Sequence, residues 1–171
     1  METLERVFIA LGTNIPPRGP RLQEARNMLR GIAAGGWKES SIYETPAVGP
    51  EGQAPYFNQV VSFWYSRGKK LLLYYLKGAE LLLGRIPRQE RWTEREIDLD
   101  LLYYGDAVST GRPTLPHPEI IQRQFVLVPM CDIAPDWKDP LTMQSMQELL
   151  SELQQKEGEF HFKKIEFEGT E

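Results

Sequence analysis

The order in which hydrophobic periodicities change along the chain limits the fold more than any other feature. "RVFIALG" is a short apolar run closed by Gly12, the pattern of a buried strand. "RLQEARNMLRGIAA" follows, with Leu22, Ala25, Met28, Leu29 and Ile32 at helical spacing. "WKESSIYE" and the aromatic, β-branched "YFNQVVSFWY" predict two strands, parted by the Pro- and Gly-rich loop "TPAVGPEGQAP". "KKLLLYYLKGAELLLG" keeps a helical pattern despite Gly78 and stops at Gly84, and "REIDLDLLYYG" predicts another strand. The order β-α-β-β-α-β is the ferredoxin-like arrangement, an α+β fold whose antiparallel sheet has its helices packed on one face. The other face is then free for ligands.

Beyond Gly105 the pattern predicts two short helices within "RPTLPHPEIIQRQFVLVPMCDIAPD", an amphipathic helix in "TMQSMQELLSELQQ" and a bulged edge strand in "EFHFKKIEF". This C-terminal helical and edge-strand extension completes a single domain over residues 1–171. Twenty Lys+Arg against 24 Asp+Glu leave a net charge of -4, which excludes a surface built to coat nucleic acid or anionic lipid. Cys131 is the only cysteine, so neither an internal disulfide nor a Cys-rich zinc site is available. The apolar run Val7 to Leu11 is too short for a signal peptide or a membrane span. The expectation is a cytoplasmic monomer with no nucleic-acid or membrane partner.

Within this frame "RQERWTEREIDLDLLYYG" is the unusual segment. Alternate side chains of a strand share a face, so Asp98 and Asp100 point the same way, roughly 6 to 7 Å apart at the backbone. Ile97, Leu99 and Leu101 point into the core. Paired carboxylates repel unless a cation lies beside them, and magnesium takes one or two carboxylates while leaving positions for water and phosphate. Taken alone, a D-x-D pair also describes a solvated polar face. Arg85, Arg88, Arg91 and Arg95 lead directly into it, interrupted by Glu90 and Glu94. Such a loop is either a set of exposed ion pairs or, with the aspartates, the second half of a clamp for a metal-bound polyphosphate. The G-x-x-x-x-G-K-[ST] loop of other nucleotide-binding proteins is absent from the sequence.

"IALGTN", "YETPAVGPEGQAPYFNQVV", "RWTEREIDLDLLYYG" and "LPHPEIIQRQFVLVPMCDIAPD", in that order, closely resemble the 6-hydroxymethyl-7,8-dihydropterin pyrophosphokinase family from about Val7 to Asp136. The resemblance implies transfer of a pyrophosphoryl group from ATP to the pterin hydroxymethyl in folate biosynthesis, with release of AMP. It assigns two magnesium ions to Asp98 and Asp100, with ATP as co-substrate and the pterin as the other small-molecule partner. For the pterin it implies Asn58 as the amide reading the heterocycle edge, Tyr56 and Phe125 as aromatic walls, Trp92 as a further substrate-binding residue, and Thr45, Pro46 and Val48 as loop contacts. For ATP it implies Glu80, Arg91, Trp92, Arg95, Leu101, Arg112, Thr114, His117 and Arg123. Arg85 and Arg95 are implied as the catalytic arginines, reaching the transferring group from a mobile loop.

Two positions depart from the family pattern. Pro87 and Arg88 stand where a second arginine often lies two places after Arg85, and Thr93-Glu94 replaces a usual Gly-Pro between the aromatic and Arg95. An RNA-binding module is disfavoured by the acidity and by the lack of an RNP1-like string, while a non-catalytic pterin or nucleotide sensor stays open.

Overall fold

The computed structural model describes residues 3–49, 51–86 and 94–166. Its strands are β1 (Glu5–Thr13), β2 (Lys38–Glu39), β3 (Ile42–Thr45), β4 (Tyr56–Tyr65), β5 (Asp98–Tyr104) and β6 (Lys163–Ile165). The helices are α1 (Arg18–Arg30), α2 (Lys69–Leu82), α3 (Gln124–Ile133) and α4 (Met146–Glu157), with one 3-10 turn at Ile120–Gln122. The strands form one antiparallel sheet in the order β5-β1-β4-β3-β6, with β2 also paired to β4. This is the expected ferredoxin-like core with β6 added at an edge.

The strand expected from "WKESSIYE" is broken in two. Glu39 lies opposite Val61 and Tyr43 opposite Asn58, so four steps along one strand match three along the other. Ser40 absorbs the extra residue. Its N–H donates to the Val60 carbonyl at 2.9 Å while its Oγ accepts from the Val60 N–H at 2.9 Å. A second irregularity lies between Phe8 and Ile9, where Leu102 of β5 has no partner on β1. It turns Leu102 and Tyr103 both toward the same face.

Each sheet face carries its own core. Val7, Ile9 and Leu11 of β1 and Leu99 and Leu101 of β5 pack with Leu22, Ala25 and Leu29 of α1 and Leu72 and Leu76 of α2. Met28 and Ile32, also expected to face inward, are partly buried against that core. On the other face Phe8, Val60, Leu102 and Tyr103 pack with Val126, Leu127 and Met130 of α3 and Met146, Leu149, Leu150 and Leu153 of α4. The face left open by the first two helices is therefore shared: the C-terminal helices cover one part and the rest lines a cavity. Ser145 begins α4 with a capping box, its Oγ accepting from the Glu148 N–H while the Glu148 carboxylate accepts from the Ser145 N–H. β6 is the expected edge strand, reduced to Lys163–Ile165. No helix among the described residues is long and apolar enough to cross a membrane.

Candidate active site

The site is built on the alternation of β5. Asp100 lies opposite Ala10 and Asp98 opposite Gly12, on the cavity side of the sheet, whereas Ile97, Leu99 and Leu101 enter the first core. β5 is an edge strand, and side chains of α2 satisfy its outward backbone. The Leu99 N–H donates to Glu80 at 2.7 Å, and Lys77 Nζ donates to the Leu99 carbonyl at 3.2 Å. Glu80 is only 2 % exposed and also holds Lys77 Nζ at 2.8 Å and Arg85 Nη1 at 2.5 Å. The helix places Lys77 and Glu80, and the turn after it Arg85, around the end of the aspartate strand.

Those charges converge on the carboxylates. Arg85 Nη1 and Arg95 Nη1 lie 3.0 and 3.1 Å from the same oxygen, Asp98 Oδ1, and Lys77 Nζ lies 3.8 Å from Asp100 Oδ1. Burial and the charge of Asp100 nevertheless raise the Asp98 pKa above the ordinary aspartate value, outweighing both arginines. Burial opposes the Arg85 charge, but Asp98, Glu80 and Asp100 together raise its pKa. Burial also lowers the His117 pKa, reinforced by Arg123 and Lys77 and opposed by Asp100 and Glu119, so its imidazole is neutral at pH 7. A half-buried carboxylate beside a second one calls for more positive charge than a solvated aspartate does, as the pair of Asp98 and Asp100 shows by sharing Arg85, Arg95 and Lys77. A hard divalent cation fits that demand and this oxygen donor pair. Among the described residues no third His, Cys, Asp or Glu completes a protein-only metal cage.

The aspartates line a cavity of about 410 Å³. Thr45, Pro46, Val48, Tyr56, Asn58 and Phe125, the expected pterin contacts, line it together with Arg95, His117 and Arg123. Asn58 Nδ2 donates to Thr45 Oγ1 at 2.6 Å, which leaves its carbonyl and second N–H for a ligand. Gly12 makes room for this amide: a Cβ there would lie 3.1 Å from Asn58 Oδ1. Arg123 pairs with Glu119 and lies over the Phe125 ring, 5.5 Å from its centroid.

Other expected residues stand elsewhere. Leu101 is 4 % exposed in the core beneath α1 and α2, so the alternation of β5 turns its side chain away from the cavity. Arg112 and Thr114 are exposed outside the cavity lining, and Thr114 Oγ1 donates to the Gly111 carbonyl at 3.0 Å. Glu80 and Arg85 act from behind the aspartates rather than lining the cavity. Arg91 and Trp92, with Pro87, Arg88 and Thr93, lie outside the described residues. Sequence reasoning does not single out Lys77, Glu119 or Asn14, and it takes Gly12 only as the end of the first strand, whereas β1 continues through Gly12 to Thr13. Only Gly12 and Asn14 lie within a recognisable string, "IALGTN".

The sequence model of the 7,8-dihydro-6-hydroxymethylpterin-pyrophosphokinase family matches residues 8–135. The chain belongs to this family. It is 40% identical over 148 residues to the 2-amino-4-hydroxy-6-hydroxymethyldihydropteridine pyrophosphokinase of Synechocystis sp., covering 85% of this chain and 74% of that one. To the Bacillus subtilis protein of the same description it is 37% identical over 154 residues, covering 88% and 92%. A crystal structure of Plasmodium falciparum HPPK-DHPS superposes with a TM-score of 0.68 at 13% identity, covering 92% of this chain. This chain spans about half, 47%, of that longer one, and at such identity the likeness speaks for the fold. The family match ends within the segment after α3, so α4 and β6 lie beyond it.

Proposed function

We propose that the protein transfers the pyrophosphoryl group of ATP to 6-hydroxymethyl-7,8-dihydropterin in folate synthesis, and that it depends on magnesium. The observation that carries this reading is the position of Asp98 and Asp100. They line one cavity together with neutral groups suited to a flat heterocycle (Tyr56, Asn58, Phe125), with the cations Arg95 and Arg123, and with His117. An aromatic face stacks on a heterocycle and an amide reads its edge. Guanidinium groups match phosphate oxygens.

In the reaction the pterin hydroxyl oxygen forms a bond to the β-phosphorus of ATP. The bond from that phosphorus to the oxygen bridging it to the α-phosphate breaks, AMP leaves with the electron pair, and the hydroxyl proton is released. Asp98 and Asp100 would hold the magnesium ions, two by family resemblance, which when bound neutralise phosphate oxygens and polarise the hydroxyl. Arg95, which lines the cavity at Asp98, stabilises the transferring group of a polyphosphate bound there, and Arg85, paired with Asp98 from behind, joins it by exchanging that carboxylate for phosphate. Neutral His117 carries a free acceptor only if the proton sits on the other ring nitrogen. Its Nδ1 accepts from the Glu119 N–H at 3.3 Å, which leaves Nε2–H as a donor toward phosphate rather than a base.

The test is product analysis with ATP and hydroxymethyldihydropterin, with magnesium and after chelation. AMP and pterin diphosphate are expected in equal amounts, and only with the metal. Binding of both ligands without AMP formation would replace this reading by that of a sensor, and ADP as product would overturn it.

A further inference from the structure

Asn14 follows β1 and is 1 % exposed, yet it touches both substrate loops. Its Oδ1 accepts from the Arg95 N–H at 2.8 Å, and its own N–H donates to the Arg95 carbonyl at 3.2 Å. Its Nδ2 donates to the Ala54 carbonyl at 3.1 Å. An N–H can only donate and a carbonyl can only accept, so these partners fix the amide orientation. Arg95 belongs to the nucleotide wall. Ala54 ends the loop that begins with Thr45, Pro46 and Val48 of the pterin wall. Arg18 ties the feet of that loop together, its Nη1 lying 3.1 Å from Glu44 Oε2 and 3.0 Å from the Pro55 carbonyl. A shift of the Arg95 peptide therefore reaches the pterin loop through one buried side chain.

We propose that Asn14 is a positioning residue that couples the nucleotide half of the site to the pterin half. The inference rests on the two-substrate reading above. Ordering the Arg95 segment around a polyphosphate orders Ala54 at the same time, so each ligand lowers the cost of ordering the loop that the other needs. Linkage makes the effect reciprocal: the factor by which a nucleotide tightens pterin binding equals the factor by which the pterin tightens nucleotide binding. A coupling carried by hydrogen bonds of ordinary net strength amounts to roughly 2- to 10-fold.

Two variants separate the links. Asn14→Ser removes the reach of the amide to both loops. Asn14→Asp keeps an acceptor for the Arg95 N–H but sets an oxygen against the Ala54 carbonyl, cutting only the pterin side. The first measurement is hydrogen exchange on the ligand-free protein. Residues 51–55 and 94–96 are expected to exchange faster together in Asn14→Ser, and 51–55 alone in Asn14→Asp, with α4 unchanged in both. Unchanged protection of these segments, or loosening spread equally over α4, overturns the proposal whatever the protein binds. The second is calorimetric titration with magnesium and α,β-methylene-ATP, with and without 6-hydroxymethylpterin. The coupling factor is expected to fall toward one in both variants, and a factor equal to wild type in Asn14→Asp overturns the coupling role. Failure of the wild-type protein to bind either compound strikes the functional reading instead, while the ligand-free exchange still decides the clasp.

Discussion

Asp98, the proposed metal ligand, is kept at a cost to the fold. Its carboxyl is protonated more readily in the folded protein than in the unfolded chain, because burial and Asp100 outweigh Arg85 and Arg95. At acid pH both states hold the proton and nothing is lost. As pH rises, the unfolded chain ionises first, near the ordinary aspartate value of about 3.9, and stability falls until the folded carboxyl has ionised as well. Asp98→Asn is therefore expected to raise Tm at neutral pH in the metal-free protein, with a gain that shrinks as pH is lowered. Its turnover should drop by orders of magnitude, as should that of Asp100→Asn. Melting curves across pH in the presence of a chelator, paired with AMP assays, check both halves, and a lower Tm at neutral pH would contradict the sign. Gly12 gives a second test, since a methyl group 3.1 Å from Asn58 Oδ1 must push that amide aside. Gly12→Ala should raise the pterin KM more than the ATP KM. Equal changes in the two constants would remove Gly12 from the pterin half.

At the scale of elements, most of the sheet was legible because strand and helix periods differ and the turn residues fall between them. Ser40 was not, since a one-residue bulge arises from a hydroxyl replacing a backbone acceptor and leaves no trace in hydrophobic pattern. Alternation gave the shared face of the two aspartates, while their reading as a metal pair needed the arginines before them and the family resemblance; the same alternation conflicted with an ATP contact by the Leu101 side chain, since Leu99 and Leu101 share a face and that face is core. Asn14 escaped notice because its partners lie 40 and 81 residues away, so its role exists only after folding. Lys77 escaped for a similar reason, as its charge reaches Asp100 around the edge of β5. Gly78 lies within α2 with a negative φ, and a Cβ at that position would meet nothing within 4 Å, so no contact requires a glycine. Gly78→Ala should stabilise the protein by about 0.4 to 1 kcal/mol, read as a shift of the urea midpoint at unchanged slope. Ser145→Ala should act in the opposite direction by about 0.5 to 2 kcal/mol through loss of the α4 cap, with kcat preserved. A lower midpoint in the first variant or an unchanged one in the second would refute the corresponding argument.

At the scale of the whole molecule, two cores on opposite faces of one sheet divide the labour of holding the site. The first holds α2, and through Lys77 and Glu80 it fixes the charges behind the aspartates. The second holds α3, which begins directly after Arg123 and carries Phe125 in its first turn. α4 lies beyond the family match, yet Met146, Leu149, Leu150 and Leu153 form much of the surface on which α3 rests. The pterin wall should therefore respond to damage in a helix that touches no ligand. Leu150→Ala and Leu29→Ala both truncate buried leucines, one in each core, and each should cost about 2 to 5 kcal/mol. Matched for stability loss and assayed well below either melting point, they should differ in function. Leu150→Ala relaxes α3 and should raise the pterin KM several-fold, whereas Leu29→Ala, on the far face and away from the cavity lining, should leave it near wild type. If both variants change the pterin KM alike, the second core is a general stabiliser and α4 has no particular part in shaping the cavity.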